Sequence, residues 1–177
     1  MQQQLAPLHA ATLLMEQTVG TLLLMAREAD PPSTLAPSTP VVPLVEQWVL
    51  AHADWLDAQG LTLDLHLPRN ATLALPAPVL PLALSSLLGN AVTHGQRGGQ
   101  VQMSLDAAGL RVSNPSAPLP PGVGEDFIKG QASGGFGLGL AIVRRLLESH
   151  GSRLELLHAE GCTQAVIGPP SRHHSPS

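Results

Sequence analysis

Four glycines fall within residues 134–139, in the run Gly134-Gly-Phe-Gly137-Leu-Gly139-Leu140, and the chain passes from them straight into a helical pattern. Glycine lets backbone approach a ligand closely. The first turn of a helix adds free N–H groups and the positive end of a dipole, so the pair makes a seat for an anion or a phosphate. A plain flexible loop is the other reading of the same run. The spacing is not a dinucleotide fingerprint: Gly-x-Gly-x-x-Gly fails at each register, and no strand pattern leads directly into it. A Walker-type phosphate loop is absent too, because the single lysine, Lys129, is followed by Gly130 and no Gly-Lys-Ser/Thr occurs.

The pattern on either side of the run predicts the rest of the fold. The helix after it, residues 137–150, carries Leu138, Ile142, Val143, Leu146 and Leu147 on one face and stops at Gly151; two strands, 154–158 and 163–167, follow. Upstream, Leu80, Leu84, Leu87, Leu88 and Ala91 mark a helix whose start is crowded by Pro76, Pro78 and Pro81, where a missing N–H is tolerated. Glycines 95, 98 and 99 turn the chain into a hairpin of strands around 101–105 and 110–113. Before that, Val42, Val45, Val49 and Leu56 predict one helix stopped by Gly60, with Trp48 and Trp55 packing on it. Strict alternation at Leu61, Leu63, Leu65 and Leu67 predicts a half-buried strand, and Leu73 and Leu75 a second. Residues 114–136 are a long loop rich in proline and glycine, the kind that usually carries function.

Residues 8–29 read as another helix, with Leu8, Thr12, Met15, Val19, Leu22 and Ala26 at alternating steps of four and three. That is a coiled-coil type of seam, equally compatible with a surface helix packed on its own domain. Residues 31–40 read as a proline-rich linker, residues 41–168 as one folded domain, and 169–177 as a disordered tail. The expected class is α+β: a two-layer sandwich with a mixed, mostly antiparallel sheet and helices on one face.

Composition narrows the function. At 177 residues and 44% hydrophobic, the chain is long and apolar enough for a real core. Aromatics are 2%, and the formal charge is −4 with a pI near 6.0, which argues against a nucleic-acid partner. One cysteine, Cys162, excludes an internal disulfide. The apolar stretch at residues 22–26 is far short of the roughly 20 residues a membrane span needs, and no signal peptide is recognisable.

Asn90 stands out on a helix otherwise lined with leucine, followed by the polar Thr93 and His94. An amide oxygen suits Mg²⁺; a helix cap or a hydrogen bond to a neighbouring loop is the competing role. The segment Leu87-Leu-Gly-Asn90-Ala-Val-Thr-His-Gly95 resembles the N box of sensor histidine kinases. Gly135-Phe-Gly-Leu-Gly-Leu-Ala-Ile-Val-Arg-Arg-Leu-Leu-Glu-Ser-His-Gly151 is similar to their G2 box and the helix behind it, a long and specific match. Glu125-Asp-Phe127-Ile-Lys129-Gly resembles the F box, and residues 19–28 resemble the end of the second helix of the dimerisation and phosphoacceptor domain.

The resemblance implies a Bergerat-type ATP-binding sandwich over residues 41–168, with residues 1–30 as the last helix of the dimerisation region. ATP and Mg²⁺ are the implied ligands. Asn90 would hold the metal; Gly135, Gly137, Leu138, Gly139 and Leu140 would form the phosphate cradle; Lys129 would be the basic residue of the lid. Thr93 and His94 fall where a phosphate-binding cation and an adenine-packing aromatic are common. Asn114 and Ser116 stand in the G1 box. There Asn114 replaces an aspartate, at an expected cost of about 1 kcal/mol, because a neutral amide accepts from the adenine amino group more weakly than a carboxylate. Ser116 and Pro118 replace glycines, Ser86 an asparagine, and no glutamate stands nearby as a hydrolytic base.

The implied reaction is transfer of the γ-phosphoryl group of ATP to a histidine outside this chain, and thence to a response regulator. No histidine here fits the acceptor: His9 is followed by Ala10, not by an acidic residue, and lies on the wrong helix; His52 and His66 read as surface or packing residues, His150 as a helix end, and His173 and His174 as tail. The implied partners are the phosphoacceptor domain of the same kinase, the response regulator, and a second copy paired through residues 8–29. The implied location is cytoplasmic, with an inner-membrane anchor elsewhere in a full-length parent. The altered G1 segment favours a second reading, a degenerate module that binds nucleotide weakly or not at all and acts through protein contacts. An ATPase or serine kinase of the same superfold is a third.

Overall fold

The computed structural model describes residues 38–117 and 138–169, together with Met15, Val19, Gly20 and Leu23 of an N-terminal helix. A five-stranded sheet carries the domain. Its strands are β2 (Thr62–His66), β4 (Gln100–Asp106), β5 (Gly109–Pro115), β6 (Arg153–Ala159) and β7 (Cys162–Gly168), in the order β2-β4-β5-β7-β6. Only β2 and β4 run parallel, a pairing that needs a crossover. The helix α3 (Val79–His94) supplies it.

The register sorts side chains onto two faces. Met103, Val112, Ala165 and Leu156 form one row across the sheet, and Leu105, Leu110, Ile167 and Leu154 the next. These rows are covered by α3 and by α4 (Leu138–Ser149), which pack on each other as well. Leu80, Leu84, Leu87 and Leu88 of α3 and Leu146 and Leu147 of α4 are fully buried. At about 1.5–3 kcal/mol for each such side chain, this layer dominates the favourable side of folding. The opposite face carries polar pairs such as Arg153–Glu155, 3.0 Å apart. This is the mixed, mostly antiparallel sandwich with helices on one face that the sequence predicts.

Local differences have physical reasons. The helix expected over 41–59 is two, α1 (Val42–Ala51) and α2 (Ala53–Gln59), broken at His52. The His52 ring stacks on Trp48 with centroids 4.3 Å apart, and its Nδ1 lies 2.8 Å from the Trp48 carbonyl. Trp48 and Trp55 therefore pack across a break rather than along one helix, their rings 6.5 Å apart. Trp48 Nε1 donates to Ser85 Oγ on α3. The strand expected through Leu73 and Leu75 is only β3 (Thr72–Leu73), paired with an unanticipated β1 (Thr39–Pro40). Thr39 Oγ1 donates to the Leu75 carbonyl at 2.6 Å and fixes that corner.

On the N-terminal helix, Gly20 lies against Leu82 of α3, close enough that an added Cβ would meet Leu82 Cδ2 at 2.8 Å. Met15, Val19 and Leu23 point away and stay exposed by 69%, 55% and 56%, leaving an apolar stripe open. Among the described residues no helix is long and apolar enough to cross a membrane.

Candidate functional site

The polar residues of the site gather where the C-terminal end of α3 meets the end of β5. Two backbone links hold these ends together: Gln96 N–H donates to the Pro115 carbonyl at 2.8 Å, and Gly95 bridges Ser116. The approach is tight. A Cβ on Gly95 would press on the Ala91 carbonyl and sit 3.3 Å from Asn114 Nδ2. Asn90 and His94 lie one turn apart on the same face of α3, and the junction sets Asn114 and Ser116 against the end of the helix that carries Asn90, Thr93 and His94.

Asn114 is buried on the core face of the sheet. Its Nδ2 donates to the Pro115 carbonyl at 3.2 Å, and its Oδ1 accepts nothing among the described residues. The Asn90 side chain is half-buried and makes no hydrogen bond among the described residues. It does not cap its helix: Gly95 ends α3, its N–H donating to the Ala91 carbonyl. An oxygen donor held on a rigid helix without a partner among the described residues fits a Mg²⁺ ligand. Thr93 Oγ1 donates back to the Gly89 carbonyl at 2.8 Å, which leaves only its lone pairs for a ligand. Burial holds the His94 imidazole below its ordinary value of 6.5, so the neutral ring is favoured at this end of the helix.

The phosphate side is only partly described. Lys129, Gly135 and Gly137 lie outside the described residues, as does Pro118. α4 begins at Leu138, so the N–H groups of Leu138, Gly139 and Leu140 fall in its first turn, where no intrahelical acceptor exists. Leu140 is buried in the core, and only its backbone is offered to a ligand.

Two further residues line the same end of the sheet. Thr163 and His158 sit in register with Asn114, and Thr163 Oγ1 lies 2.7 Å from Ser116 Oγ and 3.0 Å from His158 Nδ1. They stand more than forty positions away in sequence, and no local motif marks them. Only the pairing of β5, β7 and β6 brings them to Asn114. Ser86, one turn before Asn90, is buried under the site. Among the described residues no group of three or more His, Cys, Asp or Glu could hold a metal.

Known proteins share this fold. Over 132 residues the chain is 29% identical to the signal transduction histidine-protein kinase BaeS of Escherichia coli, matching 67% of this chain but only 28% of that protein. The cytoplasmic segment of the histidine kinase QseC superposes on 90% of this chain and 95% of its own length, with a TM-score of 0.66 at 21% identity. The histidine kinase ThkA, solved in complex with the response regulator protein TrrA, superposes with a TM-score of 0.62 at 15% identity. That match covers 79% of this chain and 43% of ThkA. Residues 78–173, from α3 through β7 and beyond, match a family model, and by that match over more than half its length the chain belongs to the histidine kinase-, DNA gyrase B- and HSP90-like ATPases.

Proposed function

We propose that this chain is the ATP-binding catalytic domain of a two-component sensor histidine kinase. The family is one of ATPases, and ATP is the ligand that membership implies. One observation carries the reading furthest: Asn90 is a half-buried amide with no hydrogen-bond partner among the described residues, on the helix whose C-terminal Gly95 lies against the buried Asn114. In this reading Asn90 ligates Mg²⁺ and Asn114 receives the base. The first turn of α4 receives phosphate oxygens, with the glycines before it allowing close approach. Lys129 adds positive charge from the lid.

Bound ATP supplies the γ-phosphoryl group. What the chain's residues contribute is positioning and charge neutralisation, with the accepting histidine brought from outside. The names of the similar proteins support a histidine acceptor, and the ThkA–TrrA complex supports a response regulator as the next recipient. The open stripe of Met15, Val19 and Leu23 supports pairing of two copies through the N-terminal helix. The match spans 28% of the length of BaeS.

A second reading, a degenerate module acting through protein contacts, draws on one feature: the Asn114 amide and the Ser116 and Thr163 hydroxyls already bond to protein. Radiolabelled ATP incubated with the chain and a separate phosphoacceptor domain of its parent separates the two. The kinase reading expects an acid-labile, base-stable phosphoryl group on the acceptor domain and none on this chain. No transfer at millimolar ATP, with both parts folded, rejects it.

A further inference from the structure

Ser116 pins three parts of the fold together. It bridges Gly95 at the end of α3, its N–H donates to the Gly161 carbonyl in the β6–β7 turn at 3.0 Å, and its Oγ lies 2.7 Å from Thr163 Oγ1 on β7. Thr163 is buried, and its Oγ1 lies in turn 3.0 Å from His158 Nδ1 on β6. One relay of polar atoms therefore runs from the edge strand β6 across β7 to the end of β5. Each hydroxyl has one proton to give, so the relay has two self-consistent orders. In one, Ser116 donates to Thr163 and Thr163 donates to an unprotonated His158 Nδ1. In the other, every donor reverses, and the Ser116 O–H must find an acceptor outside the relay. Among the described residues the Ser116 hydroxyl bonds only to Thr163, so the first order alone uses both protons within the protein.

We infer that His158 is a positioning residue of the α3–β5 junction: its Nδ1 is the accepting end of the relay, and through Thr163 it fixes the Ser116 hydroxyl and the strand end that Ser116 ties to α3. Among the described residues His158 bonds to neither Ser116 nor α3, so its effect on them passes through the Thr163 hydroxyl. Without that acceptor the Thr163 proton is left inside a buried site, and the relay loses its order. Loss of one such bond loosens the junction by about three- to tenfold. The consequence for a ligand rests on the nucleotide-site reading above; the relay itself does not.

The test combines imidazole ¹⁵N NMR at mildly alkaline pH with amide hydrogen exchange at Gln96, in the unmodified chain, Thr163→Val, His158→Leu and His158→Asn. Gln96 is the reporter because its N–H, at the end of α3, donates to the Pro115 carbonyl and touches neither replaced side chain. His158 should carry its proton on Nε2, with a hydrogen-bonded Nδ1 signal that Thr163→Val abolishes. Exchange at Gln96 should quicken about three- to tenfold in Thr163→Val and His158→Leu. His158→Asn should restore it, because the amide oxygen can accept where Nδ1 did. A proton on Nδ1, unchanged exchange in His158→Leu, or exchange as fast in His158→Asn as in His158→Leu would each overturn the inference. The spectrum of the unmodified chain decides alone if the variants do not fold. Affinity for an ATP analogue should fall by a similar factor in His158→Leu. If no protein binds the analogue, the nucleotide-site reading fails, while the spectrum and the exchange still decide the relay.

Discussion

Gly95→Ala and Gly109→Ala place the same methyl group against opposite ends of β5, and their effects should separate. Gly95 ends α3, and its new Cβ would press on the Ala91 carbonyl, one turn back, and on Asn114 Nδ2. Relief requires moving the end of α3 away from β5, at a cost of about 1–3 kcal/mol in stability. That same movement displaces Asn114 and the face carrying Asn90, so nucleotide affinity should fall about tenfold or more.

Gly109 opens β5 at φ 128, a backbone region that residues with a Cβ rarely adopt, and its Cβ would collide with the Ile167 carbonyl and the Gly168 Cα of β7. The strain and overlap together should cost about 2–5 kcal/mol. Gly109 lies five residues from Asn114, roughly 17 Å along the strand, so binding by the folded protein should change less than twofold. Urea unfolding gives the stabilities, and titration with an ATP analogue under folded conditions gives the affinities. Gly95→Ala binding as tightly as the unmodified chain, or Gly109→Ala binding as poorly as Gly95→Ala, would refute the placement of the site at the α3–β5 junction.

Two more perturbations probe other parts of the account. Burial lowers the His94 pKa, so below pH 6.5 the unfolded chain takes up a proton that the folded chain resists; stability should fall as pH drops below that value. His94→Gln should weaken this acid-side loss relative to the unmodified chain in urea unfolding across pH, and identical pH profiles would count against it. Replacing both Val19 and Leu23 with lysine removes two exposed apolar side chains from the N-terminal stripe. With burial of each worth about 1.5–3 kcal/mol, a dimer formed there should weaken a hundredfold or more in sedimentation equilibrium. An unchanged association constant would place pairing elsewhere.

How legible the fold was depends on whether each element is specified locally. The leucine face of α3, the hairpin of β4 and β5, the stop at Gly60 and the final β6–β7 pair all follow from periodicity and turn chemistry within a short window. β1 does not: two residues at the end of a proline-rich stretch become a strand only because β3 lies beside them. The break at His52 was hidden because Val45, Val49 and Leu56 keep a helical spacing across it, while stacking of His52 on Trp48 decides the local backbone. Leu65 is 41% exposed, since β2 lies at the sheet edge, a position that alternation cannot reveal. At the site, Asn90 and Asn114 could be named from motifs, whereas Thr163 and His158 reach it only through strand register. That Asn90 finds no hydrogen-bond partner among the described residues is likewise a property of its surroundings, not of its neighbours in sequence.

The most direct measurement is calorimetric titration of the chain with a non-hydrolysable ATP analogue, with and without Mg²⁺, beside Asn90→Ala. The account predicts saturable binding that strengthens with Mg²⁺ and a variant that stays folded but loses the Mg²⁺-dependent part. Binding that is indifferent to both Mg²⁺ and Asn90, or no binding at millimolar analogue, would contradict it.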